Sequence, residues 1–435
     1  VLSLIRYHRL RSGMKRVLIA MPHLVNLETW ADQIKLHAPD LSFEKLVGDK
    51  TTRFELINQN ADLYLINYAG LGVYMSELVK QDKSRKRMVN RSAVESFTNL
   101  FNAMVLDEIH HLGNPASLIH RLAWQLAKRC EFRYGLTGTL FGRDPGMLQP
   151  QFELIDHGHT LGETLGLFRA SFFRQQPHYW KGMEYIFEDS KTELLHKFMQ
   201  HRSLRYEDHE CLDLPPMVPI TYRLTWGEDQ IIYHQRALEN YHAEGMKMNP
   251  NSYVNLRQIS SGFVGYSDMK GERAKLVFKE NPKLDRLLQI VDEAPLTSKL
   301  VVFHEYIFTG ELIRAAMKKA EVEYAELWGG TKDAAKQLRR FLDDPKCRVL
   351  VANYVAGGES GNYQEVANYV IFYETPPEPI MRKQAVKRVY RGGQKKRSYI
   401  IDLVLPNSID ERILAALEKG QDLYQRICEG KERML

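Results

Sequence analysis

Short runs of apolar residues alternate with stretches of helical spacing along most of the chain. In the first part the runs are "RVLIAMP", "ADLYLINY", "NAMVLDE" and "FRYGLTGT". From about residue 282 a second set follows, with "KLVVFHE", "CRVLVANY", "NYVIFYE" and "SYIIDLVLP". Continuous apolar runs separated by helices are typical of parallel strands that are covered by helices on both faces. The pattern therefore predicts an α/β protein with two parallel sheets.

Between the two sets, from about residue 141 to 281, the chain is richer in aromatic residues, His and Met and has longer helical patterns. We expect three regions: a first lobe over 1–140, a helical and linking region over 141–281, and a second lobe over 282–435. The length of 435 residues agrees with more than one domain.

Composition narrows the class of protein without naming a function. The net charge of +6 permits a polyanionic partner. The four cysteines are far apart in the sequence, which argues against a disulfide scaffold or a zinc ribbon. No apolar run approaches the ~20 residues that a membrane span needs. The start of the chain, "VLSLIRYHRLRSGMKRVLIAMP", is interpreted as a helix followed by a strand.

The carboxyl ends of the predicted strands carry the candidate chemistry, as is usual for parallel sheets. The stretch "VLDEIHH" places Asp107 and Glu108 directly after a buried strand. Asp107 can hold Mg²⁺, mostly through water, and Glu108 can orient or deprotonate an attacking water. The alternative is a pair of surface carboxylates. Thr137 and Thr139 offer hydroxyl groups at the next strand end, or simply form a turn.

A carboxylate that holds Mg²⁺ beside one that activates water is suited to nucleotide hydrolysis, which also needs a loop that binds phosphate. The stretch "GDKTT" (48–52) lacks the first glycine of the GxxxxGK[ST] pattern and follows the first strand instead of preceding it, so it does not fit such a loop. "DHGH" (156–159) has no matching cluster of metal ligands and is interpreted as a loop. We expect a GxGKT or GxGKS element a few residues before Val1.

Several segments, taken in order, resemble motifs of the Swi/Snf-type branch of the superfamily-two helicases and DNA translocases. They are "RVLIAMPHLVNLETWADQI", "VLDEIHH", "GLTGT", "RQISSG", "KLVVFHEY", "VAGGESGNYQEVANYVIFYE" and "QAVKRVYRGGQKKRSYIIDLVLPNSIDERI". The last is the most specific, because Gln384, Arg388, Arg391 and Gln394 follow the spacing QxxxRxxRxGQ. The resemblance implies two RecA-like lobes, ATP with Mg²⁺ bound between them, and DNA as the partner.

The resemblance also implies roles for individual residues. The implied catalytic residues are Asp107, Glu108, His110, Arg391 as first choice of arginine finger, and Arg388 as second. The implied ATP-binding and coupling residues are Gln384, Gly358, Thr137 and Thr139. The implied DNA contacts are Pro22, His23, Asn67, Tyr68, His304, Gly357 and Asn362. Ser360 stands where the family usually has a second glycine. Arg388 and Arg391, three apart, are predicted on one face of a helix; a solvated basic helix is the alternative.

Two further stretches leave alternatives open. "KQDKSRKRMVNR" (80–91) suits either a DNA-facing loop or a solvated run of charge. "LFRASFFRQQPHYWKG" (167–182) suits base stacking or ordinary core packing, with core packing favoured.

The prediction for the whole is an ATP-dependent DNA helicase or translocase of compact bacterial or phage type, cytoplasmic and monomeric, with a role in fork remodelling or branch migration. The alternatives are a nucleic-acid-binding module that has lost its ATPase activity, the motor of a restriction system, and an RNA-polymerase-recycling factor.

Overall fold

The computed structural model describes residues 1–81, 84–142, 144–178, 182–206, 213–243, 250–267, 273–354 and 363–429. Their contacts divide the chain into two compact units. The first comprises Val1–Leu204 with the end of the chain from Leu423, and the second comprises Arg205–Asp422. The division at 204/205 falls inside the 141–281 region, whose first part packs with the first unit and whose remainder packs with the second.

The first unit is built on one parallel sheet and two hairpins. Its strands are β1 (Val17–Met21), β2 (Phe43–Lys45), β3 (Leu63–Asn67), β4 (Ser76–Gln81), β5 (Ser84–Val89), β6 (Ala103–Asp107), β7 (Phe132–Leu136), β8 (Phe173–His178) and β9 (Gly182–Phe187). Its helices are α1 (Leu2–Arg11), α2 (Leu24–His37), α3 (Lys50–Asn58), α4 (Tyr68–Met75), α5 (Arg91–Thr98), α6 (Leu118–Ala127), α7 (Leu148–Asp156), α8 (Leu165–Phe172) and α9 (Thr192–Gln200). The strand order of the sheet is β2-β3-β1-β6-β7, and β4-β5 and β8-β9 are antiparallel hairpins.

The second unit repeats this plan with six parallel strands. Its strands are β10 (Met217–Arg223), β11 (Phe263–Ser267), β12 (Arg273–Val277), β13 (Lys299–His304), β14 (Tyr324–Leu327), β15 (Val349–Asn353), β16 (Ala367–Phe372) and β17 (Ser398–Val404). Its helices are α10 (Glu228–Ala243), α11 (Pro250–Ser260), α12 (Pro282–Glu293), α13 (Ile307–Lys319), α14 (Ala334–Asp343), α15 (Pro379–Lys387) and α16 (Ile409–Glu429). The sheet order is β10-β17-β16-β13-β15-β14, and β11-β12 is a hairpin.

Alternating side chains of the central strands enter two separate cores, which explains their continuous apolar sequences. On β1, Leu18 and Ala20 pack into one cluster, whereas residues 17, 19 and 21 pack into the cluster on the opposite face. On β13, Val301 and Phe303 face one cluster and residues 300 and 302 face the other. Helices cover both faces of such a sheet, so neither face needs polar positions. The predicted α/β fold with two parallel sheets is confirmed.

The aromatic stretch after the first sheet forms a small core of its own. Phe168, Phe172 and Phe173 are buried together with Phe141 and Phe152. Core packing is therefore the correct interpretation for these three phenylalanines. Among the helices in the described ranges, none combines the length and the apolar character that crossing a membrane requires.

Candidate functional site

Asp107 ends β6, an interior strand of the first sheet that lies between β1 and β7. Both of its carboxylate oxygens are engaged. The indole N–H of Trp30 on α2 donates to Asp107 Oδ2 at 2.8 Å, and the backbone N–H of Glu108 donates to Oδ1 at 3.1 Å. The Tyr68 hydroxyl donates to the Asp107 carbonyl oxygen at 2.6 Å. The strand end is thus held by groups from two neighbouring helices.

Glu108 turns the chain sharply at this point. Its backbone lies in the left-handed region, at φ 49° and ψ 51°, immediately before a short 3₁₀ helix over Ile109–Leu112. A residue other than glycine in this region carries strain, and such strain occurs often at functional sites. The turn brings the Glu108 side chain towards the end of β7.

A hydrogen-bonded set of side chains joins the ends of β6 and β7. The Thr137 hydroxyl lies 3.1 Å from Glu108 Oε2 and 2.9 Å from His110 Nδ1. His110 Nδ1 is also 3.2 Å from Glu108 Oε2. Thr137 Oγ1 accepts from the Thr139 N–H at 3.0 Å and lies 3.0 Å from the Thr139 carbonyl oxygen. The structure therefore brings together four of the residues singled out from the sequence.

The two carboxyl groups differ in their electrostatic surroundings. Burial raises the pKa of Asp107, and the nearby charge of Glu108 adds to this effect, although the Trp30 hydrogen bond opposes it. Burial by itself also raises the pKa of Glu108, but hydrogen bonds and charge from His110, with the Thr137 hydrogen bond, outweigh it and lower that pKa overall. Glu108 is therefore held as a carboxylate, the form that can accept a proton.

The Asp107 site suits a cation that keeps most of its water. No group of three or more His, Cys, Asp or Glu side chains that could hold a metal occurs within the described ranges. Mg²⁺ needs no such cage, because it commonly binds one or two carboxylates, waters and phosphate oxygens. A buried carboxylate whose pKa is raised also gains from a nearby positive charge. The donor set is consistent with Mg²⁺ held through Asp107.

The residues predicted to contact DNA in the first unit lie at neighbouring strand ends. Pro22 and His23 follow β1 and are partly buried, and the His23 ring lies edge-on to that of His111 at 5.9 Å. Asn67 ends β3, and its side-chain oxygen is buried without a hydrogen-bond partner among the described residues. Tyr68 is buried and supports Asp107, so its contacts are with the acidic strand end.

His304, at the end of β13, occupies a different environment from the one predicted. Its side chain is buried, with the residue 1% exposed, and Nδ1 lies 3.0 Å from the Tyr306 carbonyl oxygen. A Cβ at Gly310 would lie 2.5 Å from the ring, so the helix backbone packs directly against it. A ring covered in this way cannot reach a DNA backbone, and the predicted contact through His304 finds no support in the geometry.

The two arginines of the last motif do not share one face of a helix, contrary to the prediction. α15 ends at Lys387, Arg388 is its C-cap residue, and Arg391 lies in the turn that follows. Gln384 is within α15 and is partly buried. The arginines thus depend on tertiary contacts for their direction. The predicted residues Gly357, Gly358 and Asn362, with Ser360, lie outside the described residues.

Comparison with known proteins finds relatives that are named as helicases and ATPases. Residues 282–393 match the family model of the helicase conserved C-terminal domain. The chain is 22% identical over 433 residues to the putative ATP-dependent helicase/translocase YwqA of Bacillus subtilis, covering 94% of this chain and 43% of that protein. It is also 22% identical over 438 residues to the chromatin-remodelling complex ATPase ISW1 of Saccharomyces cerevisiae, covering 94% of this chain and 36% of that protein.

The predicted resemblance to the Swi/Snf-type helicases of superfamily two is confirmed. The chain spans less than half the length of these two relatives. Among solved structures, the Sulfolobus solfataricus SWI2/SNF2 ATPase core in complex with dsDNA is similar with a TM-score of 0.39 and 20% identity, covering 98% of this chain and 85% of that one.

The second unit contains an ionic network that sequence reasoning missed. Arg257 on α11 is 1% exposed, pairs with Glu305, and donates to the Thr375 carbonyl oxygen at 2.8 Å. Burial alone lowers the pKa of Arg257, but the carboxylates of Glu305 and Glu374 raise it above its usual value. Glu374 accepts from the backbone N–H groups of residues 305 and 306, at 2.6 and 3.2 Å.

Trp30 and Arg257 both lie within family-like motifs, "NLETWADQI" and "RQISSG", yet the sequence assigns a role to neither. A tryptophan or arginine at helical spacing gives no sign of its partner, because the partner comes from a distant strand. The available signal is only that large polar-tipped side chains near strand-end motifs need hydrogen-bond partners when buried.

Proposed function

We propose that this chain is the motor part of an ATP-dependent DNA translocase or helicase. The observation that carries the proposal is the hydrogen-bonded set of Glu108, His110 and Thr137 beside Asp107, at the carboxyl ends of two adjacent parallel strands. A carboxylate fixed by two neighbours, next to a second carboxylate suited to Mg²⁺, is an arrangement that serves phosphoanhydride hydrolysis.

Each residue has a separate task in this proposal. Glu108 orients the attacking water and accepts its proton, and Thr137 and His110 keep the Glu108 carboxylate in place. Asp107 holds Mg²⁺ through water, and Trp30 fixes the direction of Asp107. When bound there, the ion would supply positive charge beside the phosphate oxygens. Arg391, or Arg388 as second choice, stabilises negative charge on the transferring phosphoryl group.

ATP hydrolysis also requires a phosphate-binding loop, and no GxxxxGK[ST] sequence occurs in the 435 residues. ATP turnover in this proposal depends on such a loop. A nucleic-acid-binding module without ATPase activity is the competing function, and it would bind DNA without hydrolysing ATP.

The test is Glu108→Gln in the natural protein that carries this chain. We expect DNA-stimulated ATP turnover to fall by about 10²–10⁴-fold, since a positioned general base contributes that much. DNA binding should be unchanged. Glu28→Gln is the matched control, because Glu28 lies in the same unit and pairs with Lys45 at the surface. Turnover in Glu108→Gln equal to wild type would refute the assignment. A wild-type protein that binds DNA without hydrolysing ATP would favour the binding module.

We further propose that the DNA is recognised through its phosphate backbone and that branched DNA is the preferred substrate. The name of one relative supports this: the chain is 30% identical over 161 residues to the DNA repair and recombination protein RAD54-like of Drosophila grimshawi, covering 35% of this chain and 20% of that protein. Binding should depend weakly on sequence and fall steeply with salt, because phosphate contacts release counterions.

Forked and four-way DNA should be processed faster than blunt linear duplex. Equal activity on all three DNA substrates, without strand displacement or branch movement, would contradict the preference for branched DNA and favour a simple translocase. Restriction motors and polymerase-recycling factors remain the other enzyme-class alternatives, and each would require an attached nuclease or a polymerase partner.

A further inference from the structure

The segment that carries Arg388 and Arg391 begins as a helix and continues beyond it. α15 covers Pro379–Lys387, so helical hydrogen bonds do not fix the chain at Arg391. The Arg388 carbonyl oxygen accepts from the Tyr363 N–H at 2.9 Å, and the Gln394 N–H donates to the Arg391 carbonyl oxygen at 3.1 Å. Arginine placement therefore depends on what anchors this segment at its two ends.

The first anchor is an ion pair between α15 and the neighbouring strand β17. Arg382 Nη1 and Nη2 donate to Asp402 Oδ1 and Oδ2 at 2.7 and 2.6 Å, a two-pronged geometry. The guanidinium carbon of Arg382 lies 4.3 Å from the centre of the Phe372 ring. The Thr375 hydroxyl also donates to Asp402 Oδ1 at 2.7 Å.

This pair is more buried than a surface salt bridge. Asp402 is 4% exposed, so its charge requires a partner inside the protein. Lysine cannot form the same two-pronged contact as Arg382, because a single ammonium group cannot contact both carboxylate oxygens in the same planar geometry. The pair therefore sets both the position and the rotation of the helix that leads to Arg388 and Arg391.

The second anchor is Gln394, the last residue of the family motif. Gln394 is buried, and its Nε2 donates to the carbonyl oxygens of Ala367 and Val389, both at 2.9 Å. Its Oε1 accepts from the Lys396 N–H at 2.8 Å. Gln394 thus ties the end of the segment to the start of β16, and Arg382 ties its beginning to β17.

We propose that Arg382 and Asp402 are a positioning pair for Arg391. The inference rests on the proposed ATPase function, in which Arg391 acts on the phosphoryl group. Arg382 does not touch the reacting atoms; it acts by holding the helix from which the Arg391 segment extends. A displacement of about 1 Å at a reacting group can cost on the order of 10²-fold in rate.

The first measurement is ATP turnover of Arg382→Lys in the natural protein. We expect kcat to fall by about 10–100-fold, because the displaced Arg391 contributes mainly in the transition state. The KM for ATP and the affinity for DNA should change by less than about threefold. Asp402→Asn should have the same effect and serves if Arg382→Lys does not fold. Thermal unfolding of each variant shows whether the fold is retained.

The second measurement separates positioning from a general structural role. In an Arg391→Ala background, Arg382→Lys should cost little more, because the group that it positions is gone. Single-turnover hydrolysis of labelled ATP keeps the slow variants measurable. If the fold-losses of turnover in Arg382→Lys and Arg391→Ala multiply in the double variant, the pair acts independently of Arg391 and the proposal is wrong.

A matched control is available on α12. Arg286 also lies over an aromatic ring, 4.0 Å from the centre of Tyr222, and pairs with a carboxylate, Glu293, at 3.3 Å. It is not on the arginine-bearing segment, so Arg286→Lys should leave kcat unchanged.

The outcomes distinguish a failure of the positioning pair from a failure of the proposed ATPase function on which it rests. If Arg391→Ala lowers turnover and Arg382→Lys does not, only the positioning pair is refuted. If Arg391→Ala itself turns over ATP at the wild-type rate, the role of Arg391 in the proposed function fails first.

Discussion

Replacing Thr137 with valine removes one hydroxyl group from the centre of the candidate site and preserves the shape of the side chain. That hydroxyl lies 3.1 Å from Glu108 Oε2 and 2.9 Å from His110 Nδ1. A hydrogen bond to a charged group contributes about 1.5–3 kcal/mol. If the whole of this is realised in the transition state, kcat should fall by about 10–150-fold, since about 1.36 kcal/mol corresponds to a factor of ten.

The assay is DNA-stimulated ATP turnover at saturating DNA over a range of ATP concentrations. The KM for ATP should change little, because the role proposed here for Thr137 is to hold a catalytic carboxylate. Thr137→Ser keeps the hydroxyl and should stay close to wild type.

Thr98→Val is the matched control for loss of a buried hydroxyl. Thr98 is also buried in the first unit, but its Oγ1 has no hydrogen-bond partner within the part of the chain that is described. Its replacement should leave turnover unchanged. Turnover of Thr137→Val within twofold of wild type, with DNA binding intact, would refute the reasoning that this hydroxyl holds Glu108.

Three further predictions concern stability, thiol reactivity and metal dependence. Lys283 is fully buried and its Nζ lies 2.8 Å from Asp410 Oδ2, so Lys283→Met should lower the free energy of unfolding by about 3–5 kcal/mol in urea denaturation, and a loss below ~1 kcal/mol would contradict this. Burial raises the pKa of the Cys130 thiol to about 12, above the value of about 8.5 in an unfolded chain, so this thiol disfavours the folded state as the pH rises above about 8.5. Iodoacetamide should therefore not label native Cys130 at pH 8, which mass spectrometry can check. Trp30→Phe removes the N–H that orients Asp107, so the Mg²⁺ concentration for half-maximal turnover should rise about tenfold or more, and an unchanged value would rule out that role.

The position of functional residues at the strands' carboxyl ends can be predicted from the sequence by itself. Continuous apolar runs require burial on both faces, and this favours a parallel sheet with loops of functional residues at one edge. For this reason the strand-end pattern alone locates Asp107, Glu108, Thr137 and Thr139, and in the folded chain these four residues do lie together. The local sequence pattern also predicts that the aromatic side chains around Phe168 pack into a core, as they do in the structure.

The direction of the arginines is beyond the reach of local pattern. A three-residue spacing suggests one helical face for Arg388 and Arg391, but α15 ends at Lys387. The end of a helix depends on competing contacts as much as on propensity. Here the chain leaves the helix where the buried amide of Gln394 ties the following turn to the backbone.

The supporting contacts are decided only by the tertiary structure. Asp402 meets Arg382 because the parallel register of β16 and β17 pairs it with Phe372, over which Arg382 lies. Trp30 reaches Asp107 because α2 packs beside the sheet that contains β6, although the two residues are distant in sequence. Periodicity encodes which face of an element is buried, whereas the partner of a buried polar group depends on strand order and register. Those arise from the whole sheet, and no single segment of the sequence contains them.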